Sequence, residues 1–535
     1  MDYKKRFLIN AFLIVFISYL CIHLGKVILI KIWVGVVPDF SLLKAVVLLF
    51  PLFFLFYTAV YRPKFVIFSI FLLGITLYWY NNATAFSIID SDSWGYLRYI
   101  KDALKSVPPP PFEPDVYTDP HYGPQMILGG FLQTYLHLNE MVILYSFSLI
   151  NFGLLLTSMY LFAREKYNEK VGKYFLLLSF FAWGTFESGY RSYCLTEIWC
   201  FFCIDIFSFS MLFFALFFYV KSLKSHSLKY FSGSVVCGFL CCTNHLVTGV
   251  ILLGIVFCLS VEKVITTRKI HSLALFGVFA CVTLILTFMW PFYDLFYTFN
   301  RVRELQELVV GVPPAYFYHP VTLLARSLGV TVVGIFFLWK KRDPFVVLLL
   351  GGSLLYFFLG FPFYRRFIVP IAFSLHLTIA LFLSDYRHTR HTKLFPAAFV
   401  LFLCFFAVSR PGITGFKYVQ GNEAFDVSFL DSVIDEKDSK ILSDTMTEYL
   451  IRTQTDFRVQ STTRVLPHPE IDSFFRLDAT KEERITLLSE NLVNYVLINK
   501  HRISYFQDIV ESLSDISYIL YENDDCVLLK VTLSS

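Results

Sequence analysis

Charge is scarce in this sequence. Only 16% of its 535 residues are Asp, Glu, Lys or Arg, where a soluble protein carries about a quarter. The remainder is 56% hydrophobic and includes 61 Phe, which excludes a water-facing surface over most of the chain. Lipid-facing helices fit that composition, because hydrocarbon asks for apolar side chains outside as well as inside. Cysteine is sparse where it would cross-link. Ten of the eleven lie in apolar stretches and only Cys526 lies in the polar tail, so no disulfide framework is expected. The pairs Cys200/Cys203 and Cys241/Cys242 lack polar neighbours and read as small lipid-compatible residues rather than zinc ligands. No internal repeat stands out, and the polar tail has no Gly-rich phosphate loop or Ser/His/Asp cluster. The net charge of +5 carries no nucleic-acid signal, and no nucleic-acid partner is expected.

What is present is a series of apolar runs. A run of about 17 to 25 residues spans a bilayer as a helix. Such runs lie near 7–24, 42–60, 65–84, 140–163, 172–190, 195–220, 272–290, 321–339, 344–361, 366–384 and 394–409. The stretch 230–262 is too long for one helix and is interrupted by Thr243, Asn244 and His245, which predicts two spans with a tight polar turn. The total is about thirteen spans. The first of them lacks a small-residue cleavage site and reads as a signal anchor.

Cations set the orientation. Lys4 to Arg6, Arg62 and Lys64, Arg164 to Lys173, Lys221 to Lys229, Lys263 to Lys269, Lys340 to Arg342 and Arg387 to Lys393 fall in alternate connections. Those connections are expected in the cytoplasm, together with the N-terminus. The opposite connections carry Asp90, Asp92, Glu113, Asp115, Asp119 and Glu187. An odd number of spans then places residues 410–535 outside, after a membrane domain of residues 1–409. The sequence predicts a multi-pass membrane protein, with the lipid bilayer as its first partner.

The tail has a different rhythm. Strand-like runs at Lys440–Ser443, Asn494–Asn499, Ile516–Tyr521 and Cys526–Val531 alternate with helical ones at Thr445–Thr453, Lys481–Leu492 and Ser504–Leu513. That pattern predicts a small soluble α/β domain, read as a lid or docking module in preference to a second catalytic domain.

Polar density in the membrane half concentrates in the outer loop 85–139. It opens with Asp90-Ser91-Asp92-Ser93-Trp94-Gly95-Tyr96-Leu97-Arg98-Tyr99-Ile100, whose Trp94, Tyr96, Leu97, Tyr99 and Ile100 suit a helix lying in the membrane interface. Two readings of Asp90 and Asp92 stand side by side. They cap that helix, or one of them is a general base, its pKa raised by low-dielectric surroundings. Pro108 to Pro111 form a stiff arm. Asp119-Pro120-His121-Tyr122-Gly123-Pro124 turns the chain into a second amphipathic segment, 125–137. His121 is a proton carrier or metal ligand on one reading and an ordinary loop residue on the other.

Outward cations include Arg191 beside Glu187, Arg301 and Arg303, and Arg365 with Arg366. Arginine suits phosphate because its planar fork donates parallel hydrogen bonds. Headgroup contact or pairing with Glu187 or Glu304 is the alternative for Arg301 and Arg303. Glu197 and Asp205 fall in or near one span, where an ionisable group suggests function. A structural hydrogen bond is the other reading for Asp205, and for His23, His245 and His376 the structural reading comes first.

These pieces resemble the GT-C fold glycosyltransferases, in particular the bacterial relatives of protein O-mannosyltransferases and of the aminoarabinose transferase that modifies lipid A. Asp92-Ser93-Trp94-Gly95-Tyr96-Leu97 is similar to an Asp-Ser-x-x-Tyr-Leu signature in the first large outer loop. His121-Tyr122-Gly123-Pro124 resembles the turn that follows it. Leu195-Thr196-Glu197 and Arg366-Phe367-Ile368-Val369-Pro370 resemble two helix openings. The likeness covers residues 65–535. It departs from the family pattern in having three spans, not one, before the large loop, and Asp-Ser-Asp in place of Asp-Glu or Asp-Asp.

The resemblance implies a polytopic GT-C-like helical domain in a bacterial inner membrane, with an outer α/β domain. It also implies sugar transfer from a polyprenyl-phosphate donor to a lipid, glycan or protein acceptor on the outer face, with inversion. Asp92 or Asp90 would be the base. Arg366, with Arg365 or Arg191, would hold the lipid phosphate, and Tyr96, His121, Tyr122 and Glu197 would line the substrate pocket. No cofactor is firmly implied. A divalent metal serves some members and not others, so that point stays open. An O-antigen polymerase or ligase is a competing reading, and so is a lipid-sugar transporter or flippase without transferase activity.

Overall fold

In this computed structural model the described residues are 91–110, 121–181, 204–300, 328–359, 367–385, 427–459 and 473–532, apart from 299 and 437, with Phe65 and Phe68 standing alone. They fall into two compact units. The expected spans 7–24, 42–60 and 394–409, and all of 65–84 but those two residues, lie outside the described residues.

The first unit is helical and takes in 121–125 and the described chain from 145 to 385. Where the sequence predicts a span on described residues, the structure has a helix. After α1 (Ser91–Asp102) and α2 (Pro124–Leu136) come α3 (Glu140–Lys166), α4 (Glu169–Phe181), α5 (Ile204–Ser225), α6 (Leu228–Asn244), α7 (Leu246–Thr267) and α8 (His271–Phe288). Then follow α9 (Leu328–Lys341), α10 (Pro344–Phe358) and α11 (Ile368–Asp385). Among the described residues four helices are long and apolar enough to cross a membrane, over Val142–Lys166, Ile206–Ser225, Leu246–Thr267 and His271–Phe288.

Phenylalanine builds the centre of this bundle. Phe373 of α11 meets Phe213 of α5 edge-to-face at 5.0 Å and Phe175 of α4 at 6.1 Å. Phe162 of α3 meets Phe213 at 5.8 Å and Phe345 of α10 at 6.3 Å. Edge-to-face pairs suit the aromatic quadrupole and add about 0.5–1.5 kcal/mol each beyond area burial. Small residues bring α5 and α6 together: Gly233 lies under the Phe218 ring, and Ser234 Oγ donates to Ala215 O at 2.9 Å.

The break in the long apolar run falls at His245, which is extended (φ −155°, ψ 101°) between α6 and α7. Its Nδ1 accepts from Thr248 N and lies 2.7 Å from Thr248 Oγ1. A free backbone donor of the first turn of α7 is thereby capped. This capping contact accords with the structural reading that comes first for His245. Several basic connections gather at one end of the bundle. Lys166 pairs with Glu262, Lys224 with Glu165 and Lys341 with Asp385, while Tyr167 OH donates to Asp343 at 3.0 Å.

The second unit holds 91–110, 126–144 and 427–532. Its sheet comprises β1 (Lys440–Leu442), β2 (Arg458–Val459), β3 (Tyr495–Asn499), β4 (Ser517–Glu522) and β5 (Cys526–Val531), in the order β2-β1-β3-β5-β4. The first three strands are parallel, and the β4–β5 hairpin adds antiparallel to β3. Alternation along the strands feeds two cores. Val496, Ile498, Val527 and Leu529 face one, with Phe474 and Leu488. Tyr495, Leu497, Cys526 and Leu528 face the other, with Leu450 and Ile451. Hence α13 (Thr445–Gln454), which follows the short α12 (Leu430–Val433), covers one face, while α14 (Lys481–Glu490) and α15 (Phe506–Ser512) cover the opposite one. This is the small α/β fold the tail predicts. Two-residue β2 is the strand that the sequence pattern leaves unseen.

Arg484 stitches the α14 side. It is buried, and its guanidinium donates to Phe474 O at 3.0 Å, Ser512 Oγ at 3.0 Å and Arg476 O at 2.8 Å. Arg484→Ala leaves those acceptors unmatched and is expected to destabilise this unit by about 3 kcal/mol. The check is urea-dependent proteolysis of the C-terminal region in the full-length protein, and a midpoint equal to that of the parent would contradict the assignment.

Candidate functional site

The Asp-Ser-x-x-Tyr-Leu segment folds as the first half of α1. Asp92 is the second residue of that helix, in register with Tyr96 and Tyr99 four and seven positions on. Its side chain, like those of Ser91, Ser93 and Trp94, lies outside the described residues, as does Asp90. Tyr96, Tyr99 and Ile100 are buried. The face expected to lie in the membrane interface is therefore turned largely into protein. Part of the cover comes from α2: a Cβ on Gly130 would stand 2.6 Å from Ala103 Cβ and 3.2 Å from Ile100 O. Only glycine lets those two chains approach so closely. More of it comes from α13, along which α1 packs.

Charge fixes that second contact. The Arg98 guanidinium bonds Asp102 within α1, then reaches out to Thr455 O at 2.7 Å and Asp456 Oδ1 at 3.0 Å. Lys105 pairs with Asp102 at 2.8 Å and stands 3.7 Å from Asp456. Thr455 follows the last residue of α13, where carbonyls lack intrahelical donors and the helix dipole favours a cation. Burial alone would raise the Asp456 pKa, but Lys101, Arg98 and Lys105 together hold it below the usual Asp value. A carboxyl with a depressed folded pKa contributes stability above its unfolded value, near 3.9, and loses that contribution as pH falls through the lower folded value. Asp456→Asn should therefore weaken the α1–α13 contact at neutral pH, and the difference from the parent should vanish as pH falls through that lowered folded value. Proteolytic protection of residues 103–110, followed against pH, reads this out.

In the helical unit, the turn His121-Tyr122-Gly123-Pro124 docks on the α6–α7 break. Tyr122 is wholly buried, and its carbonyl accepts from Trp290 Nε1 at 3.0 Å. A Cβ on Gly123 would stand 2.7 Å from Asn244 Cα and 3.0 Å from Thr243 O. Asn244 Oδ1 accepts from Gln125 N at 3.3 Å, and its Nδ2 donates to Ser208 Oγ at 3.0 Å. Gln125 Nε2 donates to Asn151 Oδ1 at 2.9 Å, and Tyr293 OH donates to Thr243 O at 2.8 Å. Two motifs that the sequence reading treats separately thus meet in one buried polar network. Gln125, Asn151, Ser208, Trp290 and Tyr293 are the members that reading misses, since one polar group in an apolar stretch carries no sign of its partner. His121 is partly buried at the entrance of the turn.

Arg191, Glu197, Arg365 and Arg366 lie outside the described residues, and so does the Asp205 side chain at the second position of α5. Among the described residues no three His, Cys, Asp or Glu side chains converge as metal ligands.

Solved structures share this architecture. ArnT from Cupriavidus metallidurans, bound to undecaprenyl phosphate, matches with a TM-score of 0.53 at 9% identity, over 87% of this chain and 98% of that one. The Archaeoglobus fulgidus oligosaccharyltransferase, in complex with zinc and sulfate, matches with a TM-score of 0.54 at 12% identity, over 83% and 69%. The archaeal oligosaccharyltransferase AglB from Archaeoglobus fulgidus, with an inhibitory peptide and a dolichol-phosphate, gives 0.50 at 11% identity, over 86% and 73%. No protein-family model and no curated protein sequence matches the chain. The fold is GT-C, that of integral membrane proteins. At these identities the likeness speaks for the fold.

Proposed function

We propose that the protein is a membrane glycosyltransferase that moves a sugar from a polyprenyl-phosphate donor to a glycan, lipid or protein acceptor outside the cytoplasm. The observation that carries the reading is the match to an undecaprenyl-phosphate-bound GT-C structure over 87% of this chain and 98% of the other. The second such match, to a protein solved with a dolichol-phosphate, supports the same carrier chemistry. In this reading residues 1–409 form the membrane domain and 410–535 the outer α/β domain.

The reaction needs three things from the chain. Asp92, or Asp90 beside it, takes the proton from the acceptor hydroxyl or amine as that group attacks the anomeric carbon. The bond from that carbon to the phosphate oxygen breaks, and configuration inverts. Arg366, with Arg365 or Arg191, receives the negative charge that grows on the leaving lipid phosphate, so the cations stabilise the transition state more than the ground state. In the same reading His121 and Glu197 line the pocket, and Tyr96 and Tyr122, which are buried, support its wall from behind. No nucleotide is involved, because the donor is already lipid-linked.

The test uses the purified full-length protein in detergent with a panel of polyprenyl-phosphate sugars and cell-envelope extract as acceptor. Release of free polyprenyl phosphate with transfer of label is the expected result. Passage of labelled donor across proteoliposomes, with no release, would favour a flippase instead.

A further inference from the structure

We propose that Arg98 is a positioning residue for the transfer reaction: it clamps the helix that carries Asp92 to the C-terminal end of α13, so that the C-terminal sheet unit sets the placement of the base. The proposal rests on the glycosyltransferase reading above.

Four observations carry it. Arg98 belongs to the same short helix as Asp92, six residues or about 9 Å along the axis. Its guanidinium divides its donors between an anchor within the helix, Asp102, and two acceptors at the end of α13, Thr455 O and Asp456 Oδ1. Asp102 is buried, and Lys105 closes the cluster from the next turn by bonding Asp102. The acceptors lie 357 and 358 residues away in sequence, so the clamp joins the outer-loop helix to the tail and contributes little to either element's own formation. A rigid helix held at its C-terminal half transmits that placement to its first turn. The tail then acts as the docking module its composition suggests, with α1 as the thing docked.

The experiment compares Arg98→Ala, Arg98→Lys and Asp456→Asn with the parent and with Asp92→Asn in the donor-release assay. Misplacing a reacting group by about 1 Å costs on the order of a hundredfold in rate. Arg98→Ala should lower kcat about tenfold to a hundredfold with KM for the donor within about twofold, because Arg98 does not bind donor. Arg98→Lys keeps the charge and loses the fork, so partial recovery is expected. Asp456 is exposed, and Asp456→Asn, which cannot unfold a core, should lower kcat in the same direction by a smaller factor. An Arg98→Ala or Asp456→Asn enzyme with parental kcat, alongside an inactive Asp92→Asn, overturns the clamp and leaves the transferase reading intact. A rise in KM without a fall in kcat also overturns it. Full activity of Asp92→Asn and Asp90→Asn alike would instead overturn the underlying reading.

Discussion

Replacing Asp92 by Asn is expected to lower sugar transfer by at least about a hundredfold, since general-base catalysis contributes roughly 10²–10⁴-fold. The substitution keeps side-chain size and removes only the ability to take a proton. Asp92 lies in the first turn of α1, where a carboxylate also favours the helix dipole, so some loss of helix stability accompanies the change. That loss is worth about 0.3–1 kcal/mol, far too little to explain a hundredfold loss of rate. Protein abundance should stay near parental. Asp90→Asn, made separately, assigns the role between the two carboxylates: the position with the larger loss is the base. Parental transfer by both variants at normal abundance would remove the mechanism.

The second large effect is expected at Gly123. A side chain there meets backbone atoms of the helix break, Asn244 Cα at 2.7 Å and Thr243 O at 3.0 Å, and the Asn244 side-chain Oδ1 at 2.9 Å, which Gln125 N holds in place. Gly123→Val must lift the turn from its seat. Overpacking of this kind costs about 1–3 kcal/mol, and each buried hydrogen bond lost from the Gln125–Asn244–Ser208 and Trp290–Tyr122 contacts adds about 1 kcal/mol. A fall in the thermal midpoint of the detergent-solubilised protein is expected, together with reduced transfer. Gly254→Ala is the control, because among the described residues no atom beyond its own helix lies within 4 Å of the added Cβ and helix propensity favours alanine. Equal midpoints for the Gly123 and Gly254 variants would show that the turn is not seated on the break.

Much of the fold is legible in the sequence for local reasons. Thr243, Asn244 and His245 interrupt an apolar run, and a capped break is what three polar residues in such a run produce. Strands β3 and β5 declare themselves as short, nearly continuous apolar runs, because helices cover both faces of the sheet and alternate side chains feed two cores. The contacts that join distant segments leave no such mark. Arg98 stands in the sequence as one cation among neighbours, and nothing local says that its acceptors are Thr455 and Asp456. The aromatic side of α1 suits a membrane interface and a protein interior equally well, since both reward the same residues. Burial of Tyr96, Tyr99 and Ile100 depends on α13 and on Gly130, which no periodicity within the loop reveals. Gly123 reads as an ordinary turn glycine until Asn244 is placed beside it.

The most direct measurement of the central claim is the pool of polyprenyl-phosphate-linked sugars in lipid extracts of cells carrying the parental protein or Asp92→Asn, read by mass spectrometry alongside the envelope glycans. Blocked transfer should raise one polyprenyl-phosphate sugar in the variant and deplete one glycan product. Identical lipid pools and identical glycans in the two strains, with equal protein abundance, would contradict a transferase that consumes such a donor.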